Sequence, residues 1–120
     1  DNKTEQIIET SHNLVNSTNN SIAHAEILLI NKSSLCQKKK YLNETSIFIT
    51  LEPCAMCAAA ISEAHIKRIY FGAYDEKKGS LESIMKVYNK KNFFLPEIYG
   101  GIYENKCSLL LKNFFKKKRI

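Results

Sequence analysis

Hydrophobic positions along this chain of 120 residues fall into short clusters separated by polar stretches rich in Asn and Lys, and the period within each cluster predicts its element. Thr4–Thr10 (TEQIIET) is short and β-compatible, and the Asn- and Ser-rich run Ser11–Ser21 after it reads as a loop. Ile22 to about Asn31 (IAHAEILLIN) combines helix-forming Ala, Glu and Leu, with Ser21 placed to cap it. Lys38–Lys40 and Asn43–Glu44 mark a solvated connection to Ser46–Leu51 (SIFITL), a strand of the buried type. Pro53 suits the first turn of a helix over Cys54–Ala64 (CAMCAAAISEA).

Ile66–Gly72 (IKRIYFG) alternates apolar and basic residues as a half-buried strand does, and Tyr74–Gly79 is turn-rich. Ser80–Tyr88 predicts a short helix with Ser80 and Ser83 in cap-like settings. Asn89–Pro96 then loops to a strand over Glu97–Tyr103, interrupted at Gly100–Gly101. Glu104–Lys118 predicts a last helix in which Cys107, Leu110, Leu111 and Phe114 recur at i, i+3, i+4 and i+7, the spacing of one buried face. Strands alternating with helices predict one small α/β domain over residues 1–120. A hydrophobic content of 44% is enough for a single core, and no internal repeat is visible. The longest apolar runs, such as Ile27–Ile30 and Ile47–Ile49, are far below the roughly 18 residues of a membrane span, so a soluble chain is expected.

Charge sharpens this picture only where it is concentrated. The net charge is +6, and Lys112, Lys116, Lys117, Lys118 and Arg119 place +5 of it in the last nine residues with no acid among them. Nearly all the cations are Lys and Asn and Ile are abundant, which is the usage of an A/T-rich genome, so total charge is weak evidence of a partner. A basic tail is about as often a solvated end as a nucleic-acid contact.

The chemistry lies in a small set of thiols and one histidine. The start at Asp1 has no basic n-region or apolar h-region of a signal peptide, and nothing else suggests secretion, so a cytoplasmic chain is expected. In that setting the close pair Cys54 and Cys57 reads as a metal or redox site rather than as half of a disulfide framework. A structural zinc site closes its tetrahedron with protein ligands, whereas a catalytic one offers three and leaves a position for water. Cys54 and Cys57 at a helix N-terminus can supply two, favoured as thiolates by the dipole, and His24 can complete the set. His12, His65, Cys36 and Cys107 have no ligand spacing. Glu26, two residues beyond His24, points too differently to be a convenient ligand but can reach an open metal position, the geometry of a general acid/base.

His24-Ala25-Glu26 followed by Pro53-Cys54-Ala55-Met56-Cys57 is the H-x-E and P-C-x-x-C signature of the zinc nucleobase deaminases. With Thr50-Leu51-Glu52 before it, Phe71-Gly72-Ala73-Tyr74-Asp75, Gly79-Ser80 and the ending Phe114-Phe115-Lys116-Lys117-Lys118-Arg119, the chain resembles the cytidine/nucleobase deaminase superfamily from about Asn2 to Arg119, and most closely its bacterial tRNA-specific adenosine deaminases. The resemblance implies a three-layer cytidine-deaminase-like α/β fold, a central mixed sheet with helices on both faces. It also implies a helix and a central strand preceding the first strand seen here, so that the domain would be N-terminally incomplete. It further implies Zn2+ on His24, Cys54 and Cys57, with Glu26 shuttling protons.

On the same basis Asn13 and Ala25 belong to the nucleoside-binding side, Asp75 to the contact with a flanking nucleotide, and Phe114, Phe115 and the basic tail to the anticodon stem-loop. Read without the resemblance, Asn13 is as well explained as a turn former, Asp75 as a solvated turn residue and Phe114 as part of the core stripe, while Phe115 is off that stripe and suited to stacking on a base. The activity implied is hydrolytic deamination of adenosine to inosine at the tRNA wobble position by a homodimer. A guanine or cytidine deaminase acting on a free base or nucleoside, and a noncatalytic zinc-stabilised RNA-binding module, are the other readings.

Overall fold

A computed structural model describes residues 1–118; Arg119, the last cation of the basic tail, lies outside them. One turn of helix, α1 (Val15–Thr18), precedes the long α2 (Ala25–Gln37). Strand β1 (Ser46–Leu51), helix α3 (Ala55–Glu63) and strand β2 (Arg68–Ala73) form a β-α-β unit in sequence order, followed by a 3₁₀ turn (Val87–Asn89), strand β3 (Glu97–Tyr99) and helix α4 (Glu104–Lys118). The sheet runs β1-β2-β3 and every pairing is parallel, with Ser46 opposite Arg68 and Arg68 opposite Glu97. An antiparallel member is not among the described strands.

Alternation along the strands sends Ile47, Ile69 and Phe71 to one face, where they join Ala58 and Ile61 of α3 and Leu42, Ile66 and Leu81 in the core. The other face receives α4. Gly72 lies under that helix, where an added Cβ would sit 2.3 Å from Cys107 Sγ, and this close approach is why a glycine stands mid-strand. Helices therefore cover both faces, as the α/β reading requires. Parallel strands also place the two helix-preceding loops, those before α2 and α3, at the same end of the sheet as the loop after β2.

Several predicted elements differ from what forms. Thr4–Thr10 makes no ladder: Thr4 lies in a turn, Glu5 takes a left-handed φ of 59°, and a cavity of about 810 Å³ is lined by Glu5–Ser11 and Ser46–Phe48. The second helix begins at Ala25 rather than Ile22. Asn20 ties down the preceding turn, accepting from Ile22 N at 3.1 Å on its side chain and from Ala23 N at 3.1 Å on its carbonyl, so His24 and not Ser21 is the N-cap. Ser80–Tyr88 does not become a helix: Ile84 N closes on Gly79 O at 2.9 Å and Val87 N on Ser80 O at 3.0 Å instead of on the carbonyls four residues back, while the carboxylate of Glu52 takes the amides of Leu81, Glu82 and Ser83. The strand expected over Glu97–Tyr103 stops at Tyr99, before Gly101 with its φ of +76°.

Helix α4 has its predicted span, but not a wholly buried stripe. Cys107 and Leu111 are half-buried against the sheet, while Leu110 and Phe114 remain 63% and 51% exposed. A helix of 15 residues is about 22 Å long and outruns a sheet three strands wide.

Candidate active site

Two helix N-termini meet at the head of the β1–α3 junction. His24 is the N-cap of α2 and Cys54 the N-cap of α3, both with extended backbones, and Cys57 lies in the first turn of α3. Pro53, fully buried, turns the chain from β1 into the helix. His24 Nδ1 is 3.7 Å from Cys54 Sγ and 3.5 Å from Cys57 Sγ, and the ligand atoms of all three residues lie within 4.8 Å of one another. A tetrahedral zinc with ordinary Zn–N and Zn–S bonds separates nitrogen from sulfur by about 3.6 Å, so the observed spacing fits that ion without rearrangement.

Electrostatics point the same way. Burial pushes the Cys57 thiol up, and the neighbouring Glu26 carboxylate and Cys54 push it further. A desolvated Cys57 thiol beside a carboxylate is unfavourable as an anion unless a cation joins it, and a divalent ion reverses that balance. Glu26, at the second position of α2, keeps its carboxylate against the ligand set, with Oε2 accepting from the Cys57 thiol at 3.3 Å. Its oxygen is thus held beside three ligands rather than among them, which is the place of an acid/base group.

His24 and Cys54 open onto a cavity of about 1060 Å³ whose lining includes Asn13, Ala25, Glu26, Asp75, Phe114 and Phe115, while Cys57 is buried behind them. The modest readings also hold in part. Asn13 Oδ1 accepts from Val15 N at 2.9 Å, and Asp75 Oδ1 accepts from Lys77 N at 3.0 Å and Lys78 N at 3.1 Å, so each carboxyl or amide group also shapes its own turn. Phe114 and Phe115 meet edge to face at 5.4 Å, and Phe115 is 55% exposed.

Lys78 also lines this cavity and was not singled out from the sequence, although its position three residues after Asp75 in the same turn was a usable signal. Glu52 was missed as well. It is 2% exposed, and burial alone would raise its carboxyl; five donors from Asp75, Leu81, Glu82 and Ser83 more than offset this and hold it below the usual carboxylate range.

Against known proteins, the family model of the MafB19-like deaminases matches residues 1–119. A tRNA-specific adenosine deaminase of Rickettsia bellii is 45% identical over 120 residues, 99% of this chain and 83% of its own length. That of Rickettsia felis is 46% identical over 116 residues, covering 96% of this chain and 81% of its own. Among solved structures, one from a study of A-to-I editing by tRNA:A34 deaminases at the wobble position superposes with a TM-score of 0.82 at 36% identity, covering 86% of this chain and 75% of that one. With His24, Cys54 and Cys57 grouped where they could hold a metal ion and this likeness in hand, the chain belongs to the tRNA-specific adenosine deaminase family, within the MafB19-like deaminases.

Proposed function

We propose that the protein deaminates adenosine to inosine at the wobble position of a tRNA anticodon, using Zn2+ held by His24, Cys54 and Cys57. The observation that carries the reading is Glu26 Oε2 set 3.3 Å from Cys57 Sγ at the edge of a zinc-spaced triad, facing a cavity that also contains Phe115. A zinc ion in that triad supplies Lewis acidity and makes water ionisable near neutral pH. Glu26 takes one proton from the water that attacks C6 of adenine and gives it to ring nitrogen N1, then takes the second from the new C6 hydroxyl and gives it to the amino group, which departs as ammonia as C6 becomes a carbonyl.

Asn13 and Ala25, on the wall nearest His24, hold the extruded nucleoside, and Asp75 contacts the neighbouring nucleotide. Phe115 offers a ring for stacking, and Lys116 and Lys117 on the same turn of α4 neutralise phosphates. An anticodon loop is already single-stranded, so its bases splay out at low cost. Free guanine or cytidine would make no use of the Phe-Phe basic end of α4.

The remaining parts of the reading are a cytoplasmic homodimer and a further helix and strand belonging to the domain. Large exposed apolar side chains, Phe48 at 73% and Tyr103 at 71% among them, are suited to protein contact, and the 810 Å³ cavity beside β1 lies where an added strand would pair. No helix among the described residues is long and apolar enough to cross a membrane.

The test is turnover by the zinc-loaded protein on an adenosine-containing anticodon stem-loop, with free guanine and cytidine alongside. Inosine from the stem-loop is expected; turnover of the free compounds alone would refute the tRNA substrate. Glu26→Ala is expected to retain zinc and lose turnover by at least ~10²-fold. Unchanged function in that variant would favour a noncatalytic RNA-binding module.

A further inference from the structure

Glu52 stands two residues before Cys54 and is not a member of the ligand cluster, yet its carboxylate is one of the most heavily bonded groups in the molecule. Oε1 accepts from Asp75 N at 3.2 Å and from the Ser83 hydroxyl. Oε2 accepts from Leu81 N at 3.1 Å, Glu82 N at 2.8 Å and Ser83 N at 3.1 Å. All five donors belong to one irregular loop, Asp75–Ser83. Two further contacts fasten the same loop to the same segment: Ser80 N donates to Pro53 O at 3.0 Å, and Gly79 packs so closely that a Cβ there would lie 2.4 Å from Glu52 Oε1.

The arrangement joins two parts of the site that are far apart in sequence. One end of the clamp is the Glu52-Pro53-Cys54 segment, which moves with a metal ligand. The other is the loop whose Asp75 and Lys78 line the cavity. A carboxylate suits this task because it accepts only, and five converging donors leave no room for a donor. Glutamine at the same place would turn an N–H2 group toward some of those amides. Loops without ladder bonds are otherwise the mobile parts of a domain, so the geometry of Asp75 relative to the metal ligands depends on this side chain together with the Ser80–Pro53 bond.

We infer that Glu52 is the positioning residue of the substrate-reading loop: it fixes Asp75 and Lys78 relative to Cys54, so that the nucleotide beside the reacting adenosine is held in register with the metal-side chemistry. The inference rests on the tRNA-deaminase reading above. Because the loss is in placing the flanking nucleotide, and His24, Cys57 and Glu26 are carried by helices outside the loop, its signature is weaker binding of RNA with turnover largely preserved.

The experiment uses the zinc-loaded full chain with Glu52→Gln and the milder Ser83→Ala, which removes one donor and leaves the carboxylate. Metal content, hydrogen exchange at the amides of residues 75 and 81–83, and KM and kcat on the anticodon stem-loop are measured. Expected are unchanged zinc content, faster exchange at those four amides, KM raised about 10-fold for Glu52→Gln with kcat within about threefold, and a smaller KM rise for Ser83→Ala. In an Asp75→Ala background, Glu52→Gln should add less than about twofold to KM, because both act through one loop. Faster loop exchange with unchanged KM overturns the inference, as does a fall in kcat that tracks zinc loss. Should Glu52→Gln fail to fold, Ser83→Ala decides by the same criteria. A wild-type protein inactive on the stem-loop would count against the substrate reading, while the exchange data would still decide the clamp: unaltered protection in both variants overturns it.

Discussion

Replacing Gly72 by alanine tests how α4 is held over the sheet, and its cost can be worked from the contacts. The new Cβ would lie 2.3 Å from Cys107 Sγ, 2.7 Å from Cys107 Cβ and 2.9 Å from the Thr50 carbonyl oxygen. The sulfur can rotate away, since its only bond is a long one to Ile102 O at 3.9 Å. The other two cannot. Thr50 O belongs to β1, fixed on either side by the Ile49–Phe71 and Leu51–Ala73 pairings, and Cys107 Cβ moves only with its helix. Restoring ordinary contact therefore requires α4 to retreat by about 1 Å, an overpacking cost of ~2 kcal/mol. For a domain of this size that lowers Tm by about 8 °C. Cys107→Gly removes both helix-side clashes and leaves the one with Thr50 O, so Gly72→Ala in that background should cost about 1 kcal/mol less than in the wild type, even though the glycine itself lowers the baseline. Cys107→Ser, of nearly the same size, should give no relief. Thermal melts of the zinc-loaded variants measure this directly, with metal content expected to hold because His24, Cys54 and Cys57 sit on α2 and α3. A Tm for Gly72→Ala within 1 °C of wild type, or an equal loss with and without Cys107→Gly, would refute the close-approach argument.

Lys78→Ala should weaken stem-loop binding about threefold to 10-fold and reduce the slope of log Kd against log salt by about 0.7, the share of one phosphate on a single strand, while Lys78→Arg restores both; a salt slope equal to wild type would remove Lys78 from the RNA surface. Tyr88 donates its hydroxyl to Ala58 O at 2.7 Å, and Tyr88→Phe should cost about 1 kcal/mol in urea unfolding at neutral pH. Burial raises the Tyr88 pKa above its usual value, so the neutral phenol is the form the fold favours. Its contribution is complete below the unfolded value of about 10 and declines as pH climbs from there toward the raised folded value. The alkaline loss of stability should therefore be shallower in Tyr88→Phe, and parallel profiles for the two proteins would contradict the assignment.

The chemistry was more legible in the sequence than the elements that carry it. His24, Glu26, Cys54 and Cys57 declare themselves by spacing, because a metal site and its acid/base group demand particular atoms and these lie close to helix starts that Pro53 and the apolar runs already mark. Strand β1 and helices α3 and α4 were legible for a related reason: each has a period that local chemistry alone sets. Thr4–Thr10 was not, since a strand is made by its partner, and β-compatible residues that line a cavity beside β1 without pairing form no ladder.

The loop Asp75–Ser83 shows the deeper limit. Its serines looked like caps, and the local sequence from Ser80 onward favours a helix. The group that gathers its amides is Glu52, 29 residues upstream of Leu81, and with five donors drawn to that buried carboxylate the amides of Ile84 and Val87 close wider turns on Gly79 O and Ser80 O. The same long-range contact is what brings Asp75 to the metal-side wall. In this loop the residue that local sequence could not reveal is therefore one that couples two parts of the site, Glu52, bonded to Asp75 N and standing two residues before Cys54.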